Sequence, residues 1–330
     1  MQFIYIENEI RDHPRTLSIC GRFPKASIVY CEHYGEIFNR KGQNFRLQKQ
    51  NPALILAKKH KNHVLPAPTG YGIGGLRNYY FSHMLNCIYD CRYCFLQGMY
   101  RSANYVIFIN YDEFESTIAH TAKQHPAEDV WFFSGYDCDS LAYDPITRFV
   151  ESFLPIFRNT PNAHLELRTK STQIRSLLAH EPIANCVVAF SFSPEEYSDS
   201  LEHGVPSVEK RIDAMEKLQK KGWKLGLRFD PVIYQPNYMK LYNRLFNQIF
   251  SRISATGIHS VSLGAYRIPK VFHQNISNLY PDDKLFAVHM EEHQGMMYYA
   301  RESENNMLNY CRDELMKHIP ESIFFSCTPA

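Results

Sequence analysis

The sequence predicts an α/β protein: a partial (β/α)6 TIM-like barrel, open on one side, with N- and C-terminal extensions. Three observations carry this expectation. From Tyr79 onward, short apolar runs alternate with helical stretches, the pattern of parallel βα units. The 330-residue chain, 45% hydrophobic, is long enough to bury one barrel core and support appendages. Three cysteines crowd into one loop directly after the first predicted barrel strand, at the barrel end where loops converge and chemistry gathers.

Taken in order, residues 1–78 form an N-terminal extension. It opens on the apolar run Phe3-Ile4-Tyr5-Ile6, a strand, and continues through a polar, His- and Arg-rich segment to a predicted helix at 51–59. Pro66, Pro68, Gly70, Gly72, Gly74 and Gly75 then make 62–75 a sharply turning loop. Its Gly72-Ile73-Gly74-Gly75 resembles a phosphate cradle in composition, but it precedes a strand and not a helix, which favours a plain turn.

The barrel spans 79–270, with strands expected at 79–83, 130–133, 164–168, 186–192, 224–229 and 260–265. Helices are expected at 145–157 and 206–221; Ser207 is placed to cap the second and Gly222 to end it. Residues 271–330 form a C-terminal extension: a hairpin or helix start around 288–299, a helix over 302–318, and a last strand at 323–326. His289 and His293 beside Glu292 faintly suggest a metal site on a helix, although such a set is more often a solvated face.

The chemistry centres on Cys87-Ile88-Tyr89-Asp90-Cys91-Arg92-Tyr93-Cys94, a C-x3-C-x2-C spacing. Thiolates this close in sequence can face one metal centre, and soft sulfur selects iron–sulfur clusters, zinc or Cu(I). Structural zinc sites close with a fourth protein ligand, for which His83 is the available residue. Three cysteines on a cubane instead leave one iron open to a cofactor or substrate. The aromatic residues of Tyr93-Cys94-Phe95 suit a loop packed to exclude water.

Other features narrow the class. A net charge of +2, from 36 basic and 34 acidic residues, announces no nucleic-acid binder, so any such surface must be local. The six remaining cysteines, Cys20, Cys31, Cys138, Cys186, Cys311 and Cys327, are scattered and do not form the framework of a small secreted protein. The chain shows neither a signal-like start nor a run long enough to span a membrane. A cytoplasmic protein that meets no membrane is expected.

The cysteine spacing, with an aromatic before the third cysteine, is similar to the cluster motif of the radical S-adenosylmethionine (radical SAM) enzymes. The stretch Cys91-Arg92-Tyr93-Cys94-Phe95-Leu96-Gln97 resembles that of the spore photoproduct lyase family, and the likeness runs weakly but collinearly from Ile4 to Phe325. It implies a 4Fe–4S cluster held by Cys87, Cys91 and Cys94. It also implies reductive cleavage of S-adenosylmethionine to a 5′-deoxyadenosyl radical, an electron donor such as flavodoxin or ferredoxin, and repair of a thymine dimer in DNA. Two other readings stand beside it: the same radical chemistry on a modified nucleotide, peptide or small molecule, and a non-catalytic zinc or electron-transfer protein.

Polar residues at the strand ends are the expected cofactor site. Ser134 and Gly135 end the second barrel strand, and a glycine there permits close backbone approach. Lys170 ends the third strand, where an ammonium suits a carboxylate, although a snorkelling lysine at the rim explains it nearly as well. The resemblance assigns cofactor binding to Lys170 and Ser191. Arg228 and Asp230 on the fifth strand and Arg267 after the sixth point to the mouth if alternation holds, or form structural ion pairs.

Two departures from the family's pattern bear on the reaction. The hydrogen-donating cysteine of the family aligns with Tyr136, while Cys138 stands two places later, where the family has a cofactor-binding serine. The tyrosine after the third cluster cysteine is Phe95 here, though Tyr93 remains. Tyr136, Cys138 and Tyr93 are therefore the candidates for hydrogen transfer. The family's C-terminal hairpin offers basic residues to DNA, whereas the matching Met290-Glu291-Glu292-His293-Gln294-Gly295 is acidic.

Overall fold

The computed structural model describes residues 1–327. Six parallel barrel strands form at Arg77–Phe81, Val130–Ser134, Ala163–Thr169, Cys186–Ser191, Lys224–Val232 and Ile258–Ala265, each hydrogen-bonded to the next in chain order. The short Leu65–Pro66 pairs antiparallel on one edge and Phe324–Ser326 pairs parallel on the other. The two edges do not meet, so the sheet curls without closing. Because Phe324–Ser326 joins this sheet, the C-terminal extension is part of the barrel wall.

Side chains alternate across the sheet as the pleat requires. Phe132, Leu165, Val188, Leu227 and Val261 pack outward into the main core. The opposite face carries Trp131 and Val187, which cluster with Ile73. Trp131 stacks on His164 at 4.8 Å and meets His259 tilted at 5.2 Å, so side chains fill this part of the lumen.

The N-terminal extension corrects one expectation. No helix forms over 51–59; Leu54–Ala57 is a fully buried strand at the centre of a second sheet. A short continuous apolar run carries no periodicity to separate the two states, and here burial on both faces decides for a strand. Around it lie Ser27–Cys31, Phe3–Glu7, Tyr105–Phe108 and Met84–Leu85. The last two come from beyond residue 78, on either side of the cysteine loop.

The helix expected at 145–157 is split into Asp144–Thr147 and Phe149–Arg158 by Arg148, whose φ of 51° is left-handed. Asp144 steadies the restart by accepting from Val150 N at 2.8 Å. The helix Val208–Lys221 is capped by Ser207 and stopped by Gly222, at φ 100°. Met290–His293 and Met296–Tyr299 form an antiparallel hairpin, so His289 and His293 share no helical face. Glu292 is engaged by Gly295 N at 2.9 Å and Lys270 at 3.5 Å. Arg301–Met316 is the C-terminal helix, and no described helix is long and apolar enough to cross a membrane.

Candidate active site

The cysteine loop leaves the first barrel strand at its C-terminal end and is fixed from several sides. Asn86 takes a left-handed φ of 71°, donates to Ser102 O and Asn104 O at 2.9 and 3.1 Å, and accepts from Cys87 N at 3.1 Å. Asp90–Cys91 pairs with Glu202–His203, and Arg92 N donates to Leu201 O at 2.8 Å. The short helix Leu96–Met99 follows; a side chain at its Gly98 would meet the backbone of Phe272 at 2.4 Å, so a glycine is required there.

Cys87, Cys91 and Cys94 come together in this loop. Burial pushes all three thiols above their usual range, Cys87 to about 12; Cys87 and Cys91 also feel the charge of Cys94. Among the described residues, the three sulfurs do not form a set lying within 4.8 Å of one another. Thiolates on one tetrahedral zinc sit about 3.8 Å apart, given a Zn–S bond of about 2.3 Å. Sulfurs not drawn within that reach do not match a single tetrahedral ion, whereas three soft donors in one loop are a donor set that a multi-iron cluster takes; His83 is no fourth ligand: it is buried, stacked on Phe149 at 3.9 Å.

Tyr93 is buried, and its phenol donates to Glu202. Glu202 also accepts from Ser198 Oγ and from Arg211 Nη2, both at 2.9 Å, while Arg211 Nη1 donates to Ser191 O at 2.9 Å. Burial works to raise the pKa of Glu202, but Arg211 and Lys170 outweigh it and hold the group below its usual range. Lys170 lies 5.4 Å from the Tyr93 ring centre, close enough to favour the thiolate forms of Cys91 and Cys94. Burial works against its charge, but Cys91 and Glu202 raise its pKa on balance.

The loop after the second strand packs on the end of the third. Gly135 adopts φ 83°, and a side chain there would meet Ser140 Oγ at 2.6 Å and Arg168 O at 3.0 Å. Ser134 Oγ is spent on Ser140 Oγ and Glu166 O, at 2.8 and 2.9 Å. Asp139 ties this loop to Lys170, accepting from Thr169 Oγ1 and Lys170 N, both at 2.6 Å. Tyr136 is half-buried, its ring 4.4 Å from Tyr80 and 5.5 Å from Phe95. It therefore shares an aromatic wall with the residue after the third cysteine. Cys138 packs in the N-terminal core with Ile4, Met84, Tyr105 and Ile107; burial, with the nearby Cys87 adding to it, raises its pKa far above the usual thiol range.

Arg228 is fully buried in the lumen, away from the mouth. Its Nη2 and Nε donate to Glu166 at 2.7 and 3.2 Å, and its Nη1 and Nη2 donate to Ser260 at 3.0 and 2.9 Å. Burial works to raise the pKa of Glu166, but Arg228 and Arg168 outweigh it and hold it at about 2. Of the alternatives open for Arg228, the structure forms the ion pair. Sequence reasoning missed Glu202, Arg211 and Asp139, whose links to Tyr93, Ser191 and Lys170 span 20 to 109 residues. Each sits among polar neighbours in its own segment, so nothing local singled it out.

An open parallel barrel of six βα units with a three-cysteine loop at its mouth is the architecture of a radical SAM enzyme. Residues 77–324 match the family described as spore photoproduct lyase. The spore photoproduct lyase of Bacillus subtilis (strain 168) is 22% identical over 301 residues, 86% of this chain and 83% of that protein. A solved spore photoproduct lyase complexed with dinucleoside spore photoproduct superposes with a TM-score of 0.84 at 17% identity, covering 99% of this chain and 98% of the other. A variant with bound AdoMet and dinucleoside spore photoproduct gives 0.83 at 16% identity, covering 100% and 98%. The chain belongs to the spore photoproduct lyase family.

Proposed function

We propose that this chain is a radical SAM lyase that repairs a thymine dimer of the spore-photoproduct type in DNA, with Cys87, Cys91 and Cys94 holding a 4Fe–4S cluster. The observation that carries the reading is the gathering of three cysteines by one loop at the barrel mouth, beside the Lys170 ammonium, which lies 5.4 Å from the Tyr93 ring centre. When bound, the cluster supplies the electron for reductive cleavage of S-adenosylmethionine, the source of the radical that attacks the substrate.

The protein's own residues supply the rest. Lys170 offers its charge to the carboxylate of S-adenosylmethionine, with Ser191 on the neighbouring strand. Gly135 lets the backbone of its loop approach the ligand. Tyr93, locked to Glu202, holds the cysteine loop shut against water. Tyr136, on an aromatic wall with Phe95, and Cys138, within reach of the charge of Cys87, are the two candidates for hydrogen donor. A donor such as flavodoxin or ferredoxin completes the electron supply.

The acidic strand Met290–His293 favours a second reading, in which the same chemistry acts on a substrate other than duplex DNA, because carboxylates repel phosphate. Anaerobic loading with iron and sulfide, followed by reduction with S-adenosylmethionine and dinucleoside spore photoproduct, separates the readings. Cofactor cleavage with release of thymidine supports repair. Cleavage without conversion supports the other substrate, and a protein that binds only zinc ends the enzyme reading. Cys87→Ala, Cys91→Ala and Cys94→Ala each abolish cleavage.

A further inference from the structure

The helix Phe45–Gln50 of the N-terminal extension reaches the cysteine loop through Lys49, 3.8 Å from Asp90. Gln48 Oε1 anchors it by accepting from Ala103 N at 2.9 Å. Lys49, next along, turns its side chain inward to 12% exposure. Its ammonium nitrogen is buried and, among the described residues, has no hydrogen-bond partner. An ammonium carries three donors, and leaving all of them dry is costly unless a further negative charge completes the site.

The neighbours show where that charge belongs. Asp90 Oδ1 lies 3.8 Å from Lys49 Nζ, beyond hydrogen-bond reach, while Asp90 Oδ2 lies 2.6 Å from Arg92 Nη1. Arg92 thus shares the Asp90 charge, and is itself shared with Asp283 at 3.6 Å, so Asp90 Oδ1 and Lys49 face each other as a loose ion pair with no hydrogen bond between them. Phe45 covers another side, its ring centre 5.6 Å away. Lys49 also bears on two of the three cysteines, favouring the thiolates of Cys87 and Cys94.

We infer that Lys49 sets the electron affinity of the cluster: its buried charge faces the cysteine loop and favours the reduced state, without touching substrate. The inference rests on the cluster reading above. Three thiolates on a cubane make a net negative centre, and accepting an electron makes it more negative. A fixed cation in a water-poor site therefore moves the reduction potential in the positive direction. Lys170, on the inner side, faces the cofactor and Glu202. Lys49 lies instead against Asp90, between the first and second cysteines of the loop.

The test is an anaerobic redox titration of the loaded full-length protein, followed by electron paramagnetic resonance, with iron content measured in parallel. Lys49→Met and Lys49→Gln are expected to keep the iron content and shift the midpoint to more negative potential, whereas Lys49→Arg stays near the native value. An unchanged midpoint in both neutral variants overturns the inference. If the neutral variants lose the cluster while Lys49→Arg keeps it, the need for charge at this point is shown directly. If Lys49→Arg loses it as well, Lys49 serves packing alone and the inference fails. Native protein that takes up no cluster overturns the function proposed above, a result distinct from all of these.

Discussion

The phenol of Tyr93, within the cysteine loop, donates to the carboxylate of Glu202, 109 residues further along the chain. Glu202 is in turn paired with Arg211, and both side chains are fully buried. The cysteine loop is thus latched to a charged pair that belongs to the opposite side of the barrel mouth. Tyr93→Phe is expected to cost about 1–3 kcal/mol, the loss of one hydrogen bond to a charged group. Glu202→Ala is expected to cost more, about 3–5 kcal/mol, because Arg211 is left buried and unpaired. Urea unfolding of the two variants checks the order; equal losses contradict the latch.

Lys170→Ala is expected to leave the iron content unchanged and to weaken S-adenosylmethionine binding about 10- to 100-fold, the worth of one charge-assisted contact. Equilibrium binding to the loaded protein reads this directly. An unchanged dissociation constant returns Lys170 to a rim lysine over the Tyr93 ring.

Arg228→Met is expected to destabilise the fold by about 3–5 kcal/mol, since Glu166 loses its main partner in the lumen. Replacing Glu166 and Arg228 together by methionine is expected to recover most of that loss, as apolar substitutes for a buried pair commonly do. Chemical denaturation of the single and double variants decides it. Normal stability combined with weakened cofactor binding shows instead that Arg228 is a ligand.

Burial holds His83 at about 3, with the charges of Lys59 and Arg15 adding to the effect. The unfolded chain takes up this proton near pH 6.5, while the folded protein stays neutral until about pH 3. Between those values the unfolded state binds more protons, so stability falls as pH is lowered, by about 1.4 kcal/mol per unit from this group. The stability of His83→Gln is expected to depend less steeply on pH across that window. Parallel slopes for variant and native protein contradict the assignment.

The barrel was legible because its strands are apolar runs bounded by breakers, and the cysteine loop because three ligands sit within eight positions of one another. Lys170 stood out as a charge ending such a run. The 54–57 strand was not legible: Leu54-Ile55-Leu56-Ala57 reads equally well as helix until Phe3–Glu7 and Tyr105–Phe108 are seen on its two sides. Glu202 and Lys49 were hidden for a related reason. Each looks like an ordinary surface charge in its own segment, and only a distant partner, Tyr93 in one case and the cysteine loop in the other, gives it meaning. Alternation placed Arg228 at the mouth or in an ion pair, and only the position of Glu166 on the third strand chose between them.

The second sheet takes one strand from each side of the cysteine loop, Met84–Leu85 before it and Tyr105–Phe108 after it. The two halves of the molecule are therefore interleaved and cannot be exchanged as modules. A shortened protein starting near residue 79 would keep Cys87, Cys91 and Cys94 yet lose the strand that Tyr105–Phe108 leans on, exposing a four-residue apolar edge ready to pair with another chain. Recombination with other barrels, in the laboratory or in evolution, must carry the first 57 residues along with the cysteines or forfeit a soluble product.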